Sequence, residues 1–529
     1  MATNTPGIPA AERGETAYQK LMSGYASAIE VRDKWKSLFD ECYELTMPGR
    51  ETFDAGTPGE SRTDRIFDET AVTGVQEFAS RLQAGLVPTY AQWIDLAAGS
   101  DIPAEEHEEI NEALKTITKK VFDTLQNSNF NQEVHESFMD LSVSTGVLLA
   151  REGNADQPII WSAIPLPRVA LNIGPTGTID VVYRTHKLRL WEIEELWPKA
   201  KVSAEVKRKT ESDPNMKFTV IEEERRDRKK TEPTYDYRIA IKDEEDLILS
   251  TTYSGFGSSP WIPFRWSKAS GEVYGRGPVL NSLPAIKVLN LTIQLILENA
   301  DMSIQGMWQA DDDSVVNVDT IQLLPGTIVP RSSGSRGLEP LENPGRLDVA
   351  QLILDEMRSN VRKALYNETL GPPEGTPMSA TEVSERMAEL ARQIGSAFGR
   401  LQFELVTPVI QRVLYILKKR GEIQIPSVNG REVKIVPNSP LSRAQIEQDL
   451  TDMERFAMTM TNLFGPQVAN LFIDQEAYAV TYADKLKLDP GVIRPKSARE
   501  ALAQAMQQAM QQQQQQAQQP GQGQPQQPV

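Results

Sequence analysis

The chain has little of what catalysis and covalent cross-linking usually require. Its 529 residues include one cysteine, Cys42, and three histidines, His107, His135 and His186. A single thiol excludes an intramolecular disulfide and suits a reducing compartment. Cys42 lies in an apolar helical stripe, which favours packing over nucleophilic use. His107 and His135 stand beside glutamates without completing His-Glu-x-x-His, so both read as residues of solvated helix faces. There is no Gly-x-x-x-x-Gly-Lys-Ser/Thr, which removes a P-loop nucleotide site, and no Gly-x-Ser-x-Gly elbow. Gly255-Phe-Gly257 and Gly275-Arg-Gly277 lack the third glycine of a dinucleotide loop and read as tight turns. Basic residues are in deficit, 56 Lys and Arg against 73 Asp and Glu, a formal charge of −17. Phosphate neutralisation needs Lys and Arg, so any contact with DNA is expected to be loose or local. No secretory h-region occupies the first fifteen residues. The most apolar window, Val279 to Leu297, is interrupted by Asn281, Ser282, Pro284, Lys287, Asn290, Thr292 and Gln294 and reads as too polar to span a bilayer. A soluble intracellular protein without cofactor or metal is expected.

The length gives a prior of three or four domains. Helical spacing of apolar residues predicts helices over Tyr18–Thr46, Asp68–Leu86, Glu105–Leu125 and Asn131–Leu141. After Gly146 the pattern turns to short strands at Ile159–Trp161, Ala170–Ile173 and Thr178–Arg184, and Trp191–Arg208 reads as one helix. Phe218–Ile221, Tyr235–Ile241 and Leu247–Thr252, around the charged segment Glu222–Glu232, read as an exposed β meander. The second half carries long helices at Arg276–Ser303, Leu347–Tyr366 and Ser379–Arg420. Pro408 must bend the last of these because it removes a backbone donor. Gln305–Gly345 reads as a small β module, and Asp311-Asp312-Asp313 within it as a solvated loop tip. Arg443–Leu463, Gln467–Glu476, Ala477–Leu486 and Ser497–Gln507 follow as short helices, before a glutamine-rich tail expected to be disordered. No repeat of 20–50 residues is visible.

Order is more informative than any single motif. A long helix, a β module, a second helix, a Gly/Pro loop (Asn367–Met378) and a bent helix follow in succession. The first helix is apolar on more than one face. Leu280, Leu283, Ile286, Leu289, Ile293 and Leu297 form one side, and Val288, Leu291 and Leu295 lie on others. Surplus stripes are best buried against neighbouring copies, so an oligomer is expected.

With that order, Thr70-Ala-Val-Thr-Gly-Val-Gln-Glu-Phe-Ala-Ser-Arg-Leu-Gln-Ala-Gly-Leu-Val-Pro88 followed by Trp93, Glu272-Val-Tyr-Gly-Arg-Gly-Pro278 and Met378-Ser-Ala-Thr-Glu-Val383 make the chain resemble the head-to-tail connectors, or portal proteins, of short-tailed bacteriophages. The resemblance implies an α+β, predominantly α ring subunit with long stem helices, a small β clip, an α/β wing and a helical crown. It implies a flexible N-terminus over 1–15, the wing over 16–267 (β-rich from about 147), stem helices at 276–304 and 346–366, and the clip at 305–345. The tunnel loop would occupy 367–378, the bent wing helix and following strands 379–437, the crown 438–507 and the disordered tail 508–529.

The function so implied is structural, not enzymatic. A homododecamer at one capsid vertex of the virion would pass double-stranded DNA during packaging and ejection. It would be assembled in the host cytoplasm, and no membrane is involved. Partners would be the large terminase, a tail adaptor or tail tube protein, major capsid and scaffolding proteins, and internal core or ejection proteins. Asn367, Glu368, Gly371, Pro372, Pro373, Glu374 and Gly375 would belong to the tunnel loop. Asp311, Asp312, Asp313, Arg331 and Arg336 would serve clip docking to motor and tail. Arg358, Arg362 and Lys363 are candidates for passing contacts with phosphate, the alternative for each being an intrahelical or inter-subunit ion pair, for instance with Asp355 or Glu356. The rival functions are a non-viral helical scaffold and a carboxylate-dependent hydrolase.

Overall fold

In the computed structural model the described residues are 16–53, 63–89, 91–103, 107–154, 156–242, 247–305, 308–310, 338–340, 347–367, 394–395, 397–425 and 432–485. They form a mixed helix and sheet protein with small sheets, and the chain divides into two units, one ending at Leu441 and the other starting at Ser442.

In the first unit, α1 (Ala17–Thr46) starts at a capping box: the Thr16 side chain accepts from the Gln19 N–H and the Gln19 side chain returns to Thr16. It buries Leu21, Ala28, Phe39, Cys42 and Tyr43. α2 (Thr70–Leu86) buries Val75, Phe78, Ala79 and Leu82 at helical spacing, and α3 (His107–Gln126) and α4 (Phe130–Val143) follow as the periodicity predicts. Ser144 ends α4, and the chain passes at once into β2 (Thr145–Glu152). This strand lies between β3 (Ile159–Ala163) and β9 (Trp261–Arg265) in a three-stranded antiparallel sheet, and its first six residues are all buried. A strand covered on both faces shows no alternation, which is why β2 is absent from the sequence reading. β9 was missed too, as was β1 (Ile94–Ala98), which pairs antiparallel with β12 (Val433–Pro437), Ile94 opposite Pro437.

The second sheet is an antiparallel meander of β4 (Val169–Ile173), β5 (Ile179–Leu188), β6 (Phe218–Arg226), β7 (Thr234–Ile241) and β8 (Leu247–Ser254), hydrogen-bonded in that order. Two sequence expectations change here. The helix expected over Trp191–Arg208 is two helices, α5 (Leu190–Leu196) and α6 (Ala204–Ser212). Pro198 cannot continue the first, and the Ser203 hydroxyl accepts from the Val206 N–H to begin the second. The charged segment is exposed only at its hairpin end; Glu222, Glu223 and Glu224 lie on β6 in the interior at 1%, 0% and 4% exposure.

α7 (Pro278–Gln305) and α8 (Leu347–Ala364) pack on one another, and β10 (Trp308–Ala310) pairs with β11 (Leu338–Pro340) between them in sequence. The rest of the expected β module lies outside the described residues. Residues 397–419 are helical with a π turn at Gln402–Val406, where the Thr407 N–H bonds back to the Gln402 carbonyl, and α9 (Thr407–Lys419) follows. Pro408 has no N–H to give, and the wider turn before it absorbs the missing bond. What the structure shows at the proline is this π turn.

Two large apolar clusters make the interior. One joins α2, α3, α4, the three-stranded sheet and α9, with Phe130, Trp161, Phe264, Leu401 and Leu405 among its members. The other joins α1, α2, α7, α8 and β4 through Phe39, Val75, Leu171, Leu283, Leu289 and Val361.

In the second unit, α10 (Pro440–Phe472) contains a backbone break at Gly465 (φ 79°, ψ 160°), a conformation open to glycine, and α11 (Gln475–Lys485) follows. Phe456, Met458, Leu463, Phe464 and Phe472 are exposed on α10. The helix expected at Ser497–Gln507 and the glutamine-rich tail lie outside the described residues.

Candidate functional site

The α7–α8 pair and its base carry the geometry of interest. Leu280, Leu283, Ile286, Leu289 and Ile293 of α7 are buried against Val361, Leu365, Leu354 and Met357 of the α8 region and against α1. The opposite side of α7 exposes Val288, Leu291 and Leu295, each at 50–55%. These three match the surplus stripe expected from spacing. Leu297, expected on the packed side, follows Ile293 on that side by the i, i+4 spacing and is nonetheless 53% exposed. By length and mean hydropathy (1.4) the segment Pro278–Asp301 passes for a membrane span, against the expectation that it is too polar. Its packed face, however, is part of the protein core. Lys287 Nζ binds Glu41 Oε2 at 2.8 Å, and Asn290 Oδ1 accepts from the Phe67 N–H at 2.7 Å.

The lower end of α8 is held by α2. Arg358 Nε donates to Asp68 Oδ2 at 2.9 Å, while Asp68 Oδ1 accepts from the Thr70 N–H at 2.9 Å. The ion-pair alternative for Arg358 thus takes an unforeseen partner, one at the start of α2 in the same chain. Arg362 and Lys363 are exposed on the next turn. Tyr366 has φ 60° and packs its ring 5.4 Å from that of Trp266, which stacks edgewise on Phe78 at 5.1 Å. Asn367 is buried, its Nδ2 donating to the Gly74 carbonyl at 2.6 Å. A Cβ on Gly74 would come within 2.6 Å of Leu365 Cδ1, so glycine there lets α8 approach α2. Asn367 is therefore itself tied to α2. Glu368, Gly371, Pro372, Pro373, Glu374 and Gly375 lie outside the described residues, as do Asp311, Asp312, Asp313, Arg331 and Arg336.

The Glu272–Pro278 motif also acquires a physical reading. Tyr274 is buried with its hydroxyl accepting from the Leu171 N–H at 3.2 Å, and Arg276 pairs with Glu272 at 2.6 Å. A Cβ on Gly275 would meet the Ser144 carbonyl oxygen at 2.5 Å, and one on Gly277 the Ser142 carbonyl oxygen at 2.1 Å. These glycines permit close backbone approach to the α4–β2 junction, so the tight-turn reading is replaced by a packing one.

Sequence reasoning missed the buried charges of β6. Glu222 Oε1 faces His186 Nε2 at 3.0 Å, Arg184 Nη1 at 3.3 Å and Arg151 Nη2 at 3.5 Å, and Glu222 Oε2 accepts from the Tyr237 hydroxyl at 2.6 Å. Burial pushes this carboxyl up, but the His186 contact and the two guanidiniums outweigh it and hold it at about 2. Glu223, on the other face, takes Arg225, Arg238 and the Tyr183 hydroxyl. Among the described residues Glu224 has only the Ser259 hydroxyl as a hydrogen-bond donor, and burial pushes it up to about 8. Burial likewise depresses His186 below the usual imidazole range and raises the Cys42 thiol to about 12, far from a working nucleophile. The signal that could have located the network is the presence of Arg151, Arg184 and His186 on strands; without the pairing register nothing links them to Glu222.

The family model described as bacteriophage head to tail connecting protein matches residues 18–493, and the chain belongs to that family. It is 23% identical over 516 residues to the probable portal protein of Bordetella phage BPP-1, covering 91% of this chain and 89% of that one. It is 22% identical to the portal protein of Salmonella phage epsilon15, with 93% and 91% covered. With the portal protein of Enterobacteria phage T3 it shares 20%, with 90% and 89% covered. A chain from the neck of an empty gene transfer agent particle aligns over 77% of this chain and 92% of its own, with 14% identity and a TM-score of 0.37.

Proposed function

We propose that copies of this chain close into a ring of about twelve subunits at one capsid vertex and form the passage for double-stranded DNA into and out of the virion. The observation that carries the reading is the exposed ridge of Val288, Leu291 and Leu295 on a helix whose other face is already packed. An apolar ridge of that kind is stabilised by a neighbour. In this reading α7 and α8 are the stem, 305–345 the clip that docks the large terminase and later the tail adaptor, and 367–378 the tunnel loop. Residues 379–437 supply the bent wing helix and following strands, and 438–507 the crown. Capsid and scaffolding proteins would surround the ring, and internal core or ejection proteins would meet it from inside. The role is structural, with no reaction step.

The charge balance suits a conduit. A subunit of net charge −17 repels phosphate on average, so duplex meets little drag, while Arg362 and Lys363 would offer brief local contacts. The test is an image of the purified full-length protein viewed down the particle axis. A closed ring with an axial hole wide enough for a duplex is expected; particles without a hole overturn the proposal. Deleting Gly371 to Thr376 should leave that ring intact while reducing DNA retention in assembled particles, and loss of the ring would remove the loop assignment.

A further inference from the structure

We propose that the cavity walled by β2, the Ser258–Trp261 segment, Trp197 and α9 is a receptor for a carboxylate, a site separate from the α7–α8 pair and independent of the ring reading. The cavity has a volume of about 220 Å³ and its wall includes Arg151, Trp197, Tyr237, Ser258, Trp261 and Arg412.

Its chemistry is rich in donors and positive charge. Arg412 is 5% exposed, donates to the carbonyls of Ala150, Gly257 and Ser258, and lies 5.5 Å from the Tyr415 ring centre. Among the described residues no carboxylate pairs with it. The two nearest acids are otherwise engaged: Glu152 is held by Lys419 at 2.7 Å, and Glu224 carries a carboxyl that burial pushes up to about 8. Arg151 lies 5.8 Å from the Trp197 ring centre and shares the single charge of Glu222 with Arg184. The hydroxyl of Ser258 and the indole N–H of Trp261 are buried without hydrogen-bond partners.

A buried guanidinium without an anion and two unsatisfied donors are costly features in a folded interior. An acceptor-bearing anion in the cavity would supply Arg412 with the counter-charge it lacks. Leu149, Leu196, Pro260 and Tyr415 add apolar surface, which fits the carbon stem of an organic acid better than an inorganic oxyanion, and Tyr253 and the Lys419-paired Glu152 make up the rest of the wall. Two sources share this chemistry: a free small carboxylic acid, and an Asp, Glu or C-terminal carboxylate of a neighbouring copy.

The test titrates sodium propionate into the full-length protein and follows tryptophan emission, since Trp197 and Trp261 stand in the wall. Propionamide and sodium chloride serve as neutral and simple-anion controls. A saturable change with propionate alone is expected, weakened about tenfold or more by Arg151→Gln, because a charge-assisted hydrogen bond is lost. Ser258→Ala, which disturbs no ion pair, should weaken it severalfold and covers the case in which the arginine variant fails to fold. Sedimentation of the same samples separates the sources. If a neighbouring copy supplies the carboxylate, propionate and both variants loosen assembly; if a free acid does, assembly is unchanged. Absence of saturation in the wild type together with assembly indifferent to both variants overturns the proposal, as does an equal response to propionamide.

Discussion

Strand β6 and helix α7 break the simple rule of charges outside and apolar residues inside, in opposite directions. β6 takes three consecutive glutamates into the interior, while α7 leaves Val288, Leu291, Leu295 and Leu297 half uncovered. Each departure is informative because of what stands opposite. The glutamates are tolerated where a partner is fixed in register: Arg184 on β5 stands opposite Glu222, His186 reaches the same carboxylate from two residues along, and Arg238 on β7 stands opposite Glu223. Glu224 lacks such a partner, and its carboxyl is driven toward the neutral acid. The α7 ridge has no counterpart within the described residues of the chain, and its partner is sought in another copy.

That contrast can be broken from either side. The largest effect is expected at Glu222. Glu222→Ala leaves Arg184 and Arg151 without their shared anion and should lower unfolding stability by about 3–5 kcal/mol in urea denaturation. An unchanged midpoint would remove the network from the account.

Glu224 should respond in the opposite sense. Its raised folded value means the neutral form favours folding: the contribution is complete below about 4.5 and is lost as pH rises through about 8. Glu224→Gln, which keeps the neutral shape, should therefore be more stable than wild type at pH 9 by roughly 2–4 kcal/mol and close to it at pH 4. Thermal melts at the two pH values check the sign.

On α7, replacing Val288, Leu291 and Leu295 together by serine should change subunit unfolding by less than about 1 kcal/mol, since the side chains are already half in water. A comparably small effect is expected for Arg358→Ala. Its pair with Asp68 is one-third exposed on the arginine side, so about 0.5–1 kcal/mol is the expected loss. A loss of several kcal/mol would show that the α2–α8 junction depends on this contact.

Much of the helical frame was legible in the sequence, because α1, α2, α4, α7 and α8 repeat their apolar residues at the helical period and end at Pro, Gly or polar caps. Strands β1, β2 and β9 were not. β2 is buried throughout its first six residues, so it lacks the alternation that marks a strand, and β1 is defined by pairing with β12 more than three hundred residues away. The acidic run misled for a related reason. Three adjacent glutamates read as solvated unless the arginines that neutralise them can be placed, and those lie on other strands. The exposed ridge was visible from spacing for Val288, Leu291 and Leu295. Leu297 keeps the side its spacing assigns, and only its 53% exposure could not be read from the sequence.

The central claim is that the free ridge of α7 is an assembly surface. Sedimentation velocity of the full-length protein beside the Val288, Leu291 and Leu295 serine variant tests it most directly. The account predicts a large discrete oligomer for the wild type and a folded, much smaller species for the variant. A wild type that sediments as a monomer, or a variant that assembles as the wild type does, would contradict it.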